Sequence, residues 1–362
     1  MIPKLYGASE TTFTSAAEPL VDCVRCEVTE ERNGEFILEL EYPQDGLHAM
    51  EFDIDKIILA KPYDNATAAE PFRINNVTAT LDGHIIVNAE HISYQLNHII
   101  IGANSGHQTR YPATMWNTLV GYNLGSSNPF SFATDISDAS GTVRPYGCEV
   151  PTPLRTLLGG MEGSMLDLFG GELQWNKYTV NLWRNRGADN GVVIAYGKNI
   201  VGFDYVVDMD SVYTGLVAYY KTDNDYVQSD QQTIATTLAF SRIAVIDATS
   251  EFETVPTTSD LNTWASGYLV DNHINPKISV TVDFVPLWQT EEYKDFYALE
   301  HVSLCDTVKV IYTPLNLVVT AKVVKTVYDA LSEKYTEIVI GTPGASLDDT
   351  IAEIIKEVKI TK

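Results

Sequence analysis

The sequence predicts a mainly β protein with α+β insertions, and three observations lead there. Twenty tyrosines and a high density of Val, Ile and Thr favour strands, because branched and aromatic side chains pack well on a pleated surface. Runs such as FILELEYP (36–43) and ISVTVDFV (278–285) alternate apolar and polar residues with the period of half-buried strands. The third observation is an internal echo, in which the segment from Phe36 to Glu90 is followed in pattern by that from Ile278 to Gly341. Each copy has an alternating strand, an Asp-led apolar strand ending in proline (DKIILAKP from Asp55, DTVKVIYTP from Asp306) and a long two-strand hairpin. Two related β modules in one chain are the expectation.

Taken in order, residues 1–100 form the first module. Asn33-Gly34 between VRCEVTEE and FILELEYP is a strong hairpin cue, and Asp82-Gly83 divides the closing hairpin. From 101 to 200 the texture is that of an inserted α+β domain. There TMWNTLVGYNL and PLRTLLGG read as short helices, and GELQWNKYTVNLWRN reads as a hairpin about Asn176-Lys177. The second module is split, over 201–225 and 275–345, by a small insertion at 226–274 in which SDLNTWASGYLVDN reads as helix. Glu291 to Glu300 reads as a helix bridging its strands.

Residues 346–362 read as an amphipathic C-terminal helix. Ser346 with Asp349 caps its first turn, Asp348 and Asp349 suit the positive end of the dipole, and Lys356, Lys359 and Lys362 suit the other. Ile351, Ile354, Ile355 and Val358 make one apolar stripe, a candidate oligomer-interface helix. The stripe either docks on its own domain or meets its counterparts from other subunits at an axis.

At 362 residues the chain suits two to four domains. With 24 basic against 48 acidic residues its formal charge is -24, which argues against a surface that grips phosphate. The surface reads as plainly acidic, or as a wall that repels nucleic acid and keeps a conduit slippery. Four cysteines are too few and too scattered for a disulfide framework, so a reducing site of synthesis is expected. The longest apolar runs fall far short of the roughly 20 residues that a membrane helix needs. The N-terminus lacks the apolar core of a secretion signal.

No G-x-S-x-G elbow, P-loop, G-x-G-x-x-G loop or H-E-x-x-H occurs. Cys23 and Cys26 have the spacing of half a zinc site, but residues three apart on a strand point to opposite faces, and no second pair follows. His84, His91 and His98 recur every seven residues in a stretch that reads as strand, so they are expected to be satisfied or exposed, not convergent. Asp204, Asp208 and Asp210 share one parity and offer three carboxylates where calcium needs six or more oxygens. Glu291 and Glu292 form one of many chance acidic pairs. No catalytic, cofactor-binding or metal residue is assigned, and no cofactor is expected.

The runs NGEFILELEYP (33–43), LFGGELQWNKYTVNLWRNRGADNGVVIAYGKNI (168–200), DTVKVIYTP (306–314) and AKVVKTVYDALSEKYTEIVIG (321–341) resemble the phage minor structural protein, or prophage tail endopeptidase, family. The GGE…W…RG…YGKN run is the most specific part. The chain departs from the family at Cys305, where the family often has a glycine before Asp-Thr-Val.

The resemblance implies two tail-tube-like β-barrel modules in each subunit of a homotrimeric hub at the tail tip or baseplate. Three subunits would then offer six modules to the sixfold tube. It implies a virion component made in the bacterial cytoplasm. Its partners would be the distal tail protein or tail tube, the tape-measure protein, and tail fibre or receptor-binding components, with DNA passing through without specific binding and no membrane span. In many relatives a lytic domain or a fibre region follows the hub. This chain stops at Lys362, so no catalytic residue is carried over and a non-enzymatic role is expected. The alternatives are a tail-associated peptidoglycan hydrolase acting through the 107–199 insertion, and a carbohydrate-binding module with Trp175 and Trp183 side by side as a sugar platform.

Overall fold

The computed structural model describes residues 1–341 apart from 126, 138–142, 162, 209–211, 235–239, 253, 273–276 and 293–300. They fall into two compact units: Met1–Phe203 with Val282–Gly341, and a second that contains Asp204–Thr281. No helix among the described residues is long and apolar enough to cross a membrane. The predicted C-terminal helix with Ile351, Ile354, Ile355 and Val358 lies outside the described residues. So do Asp210 and all but the first two residues of the predicted helix from Glu291 to Glu300.

The chain opens with β1 (Lys4–Tyr6), β2 (Glu18–Pro19) and β3 (Arg25–Glu31). It continues through β4 (Phe36–Pro43), β5 (Ile57–Ala60), β6 (Glu70–Ala79) and β7 (His84–His91). Alternation decides which face each strand buries: Phe36, Leu38, Leu40 and Tyr42 of β4 are all in the core, as are Cys26, Val28 and Glu30 of β3. Each buried Leu or Phe on that face contributes about 1.5–3 kcal/mol. The turn between β3 and β4 places Asn33 at φ 57, a left-handed conformation that Asn tolerates.

The insertion comprises β8 (Ile100–Ile101), β9 (His107–Thr109), α1 (Pro112–Gly121), β10 (Ser131–Thr134) and β11 (Arg144–Tyr146). It continues with β12 (Thr152–Pro153), α2 (Leu154–Leu158), α3 (Met165–Phe169), β13 (Glu172–Asn176) and β14 (Thr179–Trp183). The two expected short helices fall on α1 and α2, and the expected hairpin is β13–β14, turning at Lys177 with φ 49. Next come β15 (Asp189–Ala195) and β16 (Ile200–Asp208).

The second unit holds β17 (Gly215–Lys221), β18 (Tyr226–Gln228), β19 (Gln232–Thr233), β20 (Ile243–Asp247) and α4 (Thr258–Asn272). Here β17 pairs with the other three strands. Leu261, Ala265 and Leu269, four apart on α4, pack against Leu216, Ala218 and Tyr220 of β17. The chain then runs through β21 (Lys277–Phe284), β22 (Thr307–Tyr312), β23 (Leu317–Asp329) and β24 (Lys334–Gly341).

The main sheet follows the path β16-β21-β24-β23-β3-β4-β7-β6-β5-β1-β2, with β22 on β23 and β15 on β22. Two stretches of this topology coincide: β3-β4-β7-β6-β5 and β16-β21-β24-β23-β22. The coincidence extends to single residues. The Asp55 N–H donates to the Ile74 carbonyl at 2.9 Å and the Ile74 N–H returns to Lys56 at 2.8 Å; Cys305 and Val323, then Val323 and Asp306, repeat this exchange at 2.9 Å each. Asp55 and Cys305 share a left-handed backbone, with φ 70 and φ 73. A register shift between Ile74 and Asn76, opposite Ala89 and Asn88, recurs between Val323 and Lys325, opposite Ile340 and Val339.

These markers correct the sequence alignment by one residue. Asp55 is the counterpart of Cys305, not of Asp306, because the shared feature is a backbone turn and not a carboxylate. Among the described residues the ladders form an open path and close no ring.

Candidate functional site

The sequence-selected chemical candidates do not converge. Cys23 is half-buried, Cys26 is buried, and both thiols are free. His84 bonds Glu41, and His98 lies exposed at the end of a 3-10 turn. His91 is buried: its Nδ1 accepts from the Ser93 N–H, and its Nε2 lies 3.2 Å from Glu70. Asp204, Glu291 and Glu292 are exposed. Trp175 is buried and Trp183 donates to Gln174, so the two form no exposed sugar platform. Among the described residues no group of three or more His, Cys, Asp or Glu is placed to hold a metal ion.

What the structure does gather is a buried ionic knot where the two repeats meet. The strands β3 and β23 pair antiparallel, from Lys325 opposite Glu31 to Asp329 opposite Glu27, and this ladder joins the repeats. Beside it the insertion supplies Glu172 at the start of β13, only 1% exposed. Glu172 Oε1 accepts from Arg32 Nε at 2.9 Å and from Lys322 Nζ at 2.5 Å, and its Oε2 accepts from the Arg186 N–H at 2.6 Å. The Arg186 guanidinium donates to both oxygens of buried Glu30, at 2.6 and 3.1 Å. One insertion strand and the loop after β14 thereby hold β3 of the first repeat against β23 of the second.

Each charge in the knot has its partner, as a dry site requires. Burial alone would raise the Glu172 pKa, but the Lys322 and Arg32 hydrogen bonds and the Arg186 N–H outweigh it and hold the carboxyl below its usual range. Burial would likewise lower Arg186, and the Glu30 carboxylate more than reverses this, keeping the guanidinium charged.

Backbone geometry closes the knot. Gly171 has φ 95, and a Cβ there would lie 2.6 Å from the Trp183 carbonyl. A Cβ on Gly187 would lie 2.2 Å from the Cys305 carbonyl carbon, so only glycine lets these two segments touch. Asp306 accepts from the Ala188 N–H at 2.7 Å and from the Ser303 N–H at 2.8 Å. The Asn33 amide donates to the Gly171 carbonyl and accepts from the Leu173 N–H, tying the β3–β4 turn to β13. Burial pushes the Cys305 thiol up to about 12, so it stays protonated and unreactive.

A second set of contacts links the loop after β5 to the second repeat. His301 Nε2 lies 3.0 Å from Asp64, whose other oxygen accepts from the Tyr335 hydroxyl at 3.2 Å. Nearby Lys61 and the N-terminal ammonium both pair with Glu333. Burial would raise Asp64, but its hydrogen bonds, led by that to His301, hold it below the usual carboxylate range.

Glu172, Gly171, Arg186 and Gly187 all lie in the GGE…RG run, yet their joint role is invisible in sequence, where they read as ordinary charges and turn residues. The spacing of that run was the available clue. Its residues dock elements; none of them offers a nucleophile poised beside a base.

Residues 188–351 match the family model described as prophage endopeptidase tail. Among solved structures, the prophage tail protein gp18 of Listeria monocytogenes EGD-e is similar over 98% of this chain and 100% of its own, with TM-score 0.60 and 14% identity. The 43 kDa tail protein of prophage MuSo2 from Shewanella oneidensis is similar over 95% and 98%, with TM-score 0.57 and 10% identity. The tail protein from Neisseria meningitidis MC58 is similar over 94% and 95%, with TM-score 0.53 and 8% identity. No curated protein matches the chain. Residues 188–351 thus carry the match to the prophage endopeptidase tail model, and the fold of the whole chain is similar to that of prophage tail proteins.

Proposed function

We propose that the chain is a structural hub of a phage or prophage tail tip or baseplate. Three copies form a ring that closes the tail tube and carries host-contacting or lytic components. The observation that carries this reading is the repeated strand order, β3-β4-β7-β6-β5 and β16-β21-β24-β23-β22, with its repeated turn and bulge. Three chains with two like modules each present six near-equivalent units, which a threefold ring can offer to a sixfold partner. Barrel closure on this reading belongs to the ring and not to the single chain.

The charge distribution supports a conduit. Glu27, Glu35, Glu39 and Glu90 line an open groove on the first repeat with Asn88 and Tyr94. Such a wall repels nucleic acid and favours passage over binding. The C-terminal stripe of Ile351, Ile354, Ile355 and Val358 remains the proposed contact at the threefold axis. Tube, distal tail, tape-measure and fibre proteins are the proposed partners, and the tail tip of the virion the proposed location.

Sedimentation of the purified chain tests the reading. A mass of three copies, at least at high concentration, is expected; a strict monomer at every concentration and on added tail tubes would contradict it. The family description mentions an endopeptidase, so a cell-wall degradation assay belongs beside it, with no lysis expected.

A further inference from the structure

We infer that the folded chain modifies itself at Asn190: the main-chain nitrogen of Gly191 displaces the side-chain amide, and the residue becomes aspartate or isoaspartate. Asp189 serves as the base. The same fold protects Asn33, which has the same neighbour, from the same reaction.

An asparagine before glycine is where this displacement is least hindered, because glycine has no Cβ to obstruct its nitrogen as it closes on the neighbouring Cγ. The sequence holds two such pairs, Asn33-Gly34 and Asn190-Gly191, and the fold treats them oppositely. Asn33 is pinned at both atoms of its amide: the nitrogen donates to the Gly171 carbonyl at 3.0 Å, and the oxygen accepts from the Leu173 N–H at 2.7 Å. The Gly34 N–H donates to the Glu31 carbonyl at 3.1 Å, an acceptor too weakly basic to take its proton. Turning the Asn33 amide onto Gly34 first has to undo the tie between the β3–β4 turn and β13.

Asn190 has none of these restraints. It and Gly191 are exposed, and a Cβ on Gly191 would meet nothing within 4 Å. Among the described residues the Asn190 amide makes no hydrogen bond. The β15 ladder pairs Asp189 with Thr307 and next Val193 with Lys309, with a register shift between them, so Asn190-Gly191 lies in a bulge outside the ladder. The Gly191 N–H donates to Oδ1 of the Asp189 carboxylate at 3.0 Å. A base therefore sits on the proton that has to leave.

The step balances with water as the one added reagent. Asp189 takes the Gly191 proton as the nitrogen bonds to Asn190 Cγ; the Cγ–Nδ2 bond breaks, and Nδ2 departs with that proton as ammonia. Water then opens the cyclic imide at either carbonyl. One opening gives aspartate, and the other gives isoaspartate, whose main chain runs through the former side chain. The bulge has room for the added main-chain atom, while the Asp306 bond to the Ala188 N–H holds the segment before it. Each modified chain gains one negative charge.

The test is peptide mass spectrometry of the folded chain held in mildly alkaline buffer, beside the same chain in denaturant. The expected result in the folded chain is conversion at Asn190, with Asn33 slower by roughly tenfold or more because its two amide hydrogen bonds must first break. In denaturant the two rates should converge. Asp189→Asn keeps an acceptor for the Gly191 N–H but removes the base, and should slow Asn190 in the folded chain with an unchanged circular dichroism spectrum. Equal rates at the two asparagines in the folded chain, or an Asn190 that stays intact there while it converts in denaturant, overturn the inference. An unchanged rate in Asp189→Asn overturns the part given to Asp189.

Discussion

In the first repeat the residue that turns the chain into β5 is Asp55, exposed at φ 70. In the second, Cys305 turns the chain into β22 at φ 73, buried beneath Gly187 with its thiol pushed up to about 12. Backbone path, hydrogen-bond exchange and neighbouring bulge are the same; chemistry and surroundings are not. The comparison teaches that what the two copies share is a main-chain geometry. Side chains have been reassigned according to what docks on each copy. The insertion covers the second turn through Gly187, whereas the first lies open.

The largest effect that would break this comparison is expected at the lock between the copies. Glu172→Ala leaves Arg32, Lys322 and the Arg186 N–H without their acceptor, and should cost about 3–5 kcal/mol in denaturant unfolding, as when one partner of a buried pair is removed. A loss below about 1 kcal/mol would mean that the knot does not hold the repeats. Next, Gly187→Ala forces a methyl into the Cys305 main chain and should cost about 1–3 kcal/mol. An unchanged midpoint would show that the close approach is absent.

Smaller effects sharpen the comparison between the turns. Asp55→Gly removes left-handed strain at an exposed site and should raise stability by about 1 kcal/mol. Cys305→Gly removes the same strain but also a buried thiol, and so should gain less; equal gains would deny that the second turn is covered.

The pH dependence follows from Glu172 and Asp64, both held below their usual carboxylate range. Their folded pKa values are depressed, so the stability they contribute is fully present above the unfolded values of about 3.8 and 4.5 and is lost as pH falls through the lower folded values. Thermal unfolding between pH 6 and pH 3 should show this loss, and Glu172→Gln should reduce its steepness.

Much of the fold was legible where local chemistry decides it. Asn33-Gly34, Asp82-Gly83 and Asn176-Lys177 each mark an observed hairpin, and the run SDLNTWASGYLVDN at 259–272 falls on α4. The echo was legible as a pattern but out of register by one, because aspartates mark the sequence repeat while a left-handed turn marks the structural one. Buried Glu172, Glu30 and Arg186 were not legible, since a charge in a strand reads as exposed until its partner, 156 residues away for Glu30 and Arg186, is placed beside it. Barrel closure is not legible for the same reason: it depends on long-range pairing that no local run encodes.

Electron cryomicroscopy of the assembled tail tip, at a resolution that traces strands, tests the central claim most directly. The account predicts three copies with six like strand sets about one axis and β3 on β23 within each chain. A single copy at the tip, or repeats whose strand orders differ from each other, would contradict it.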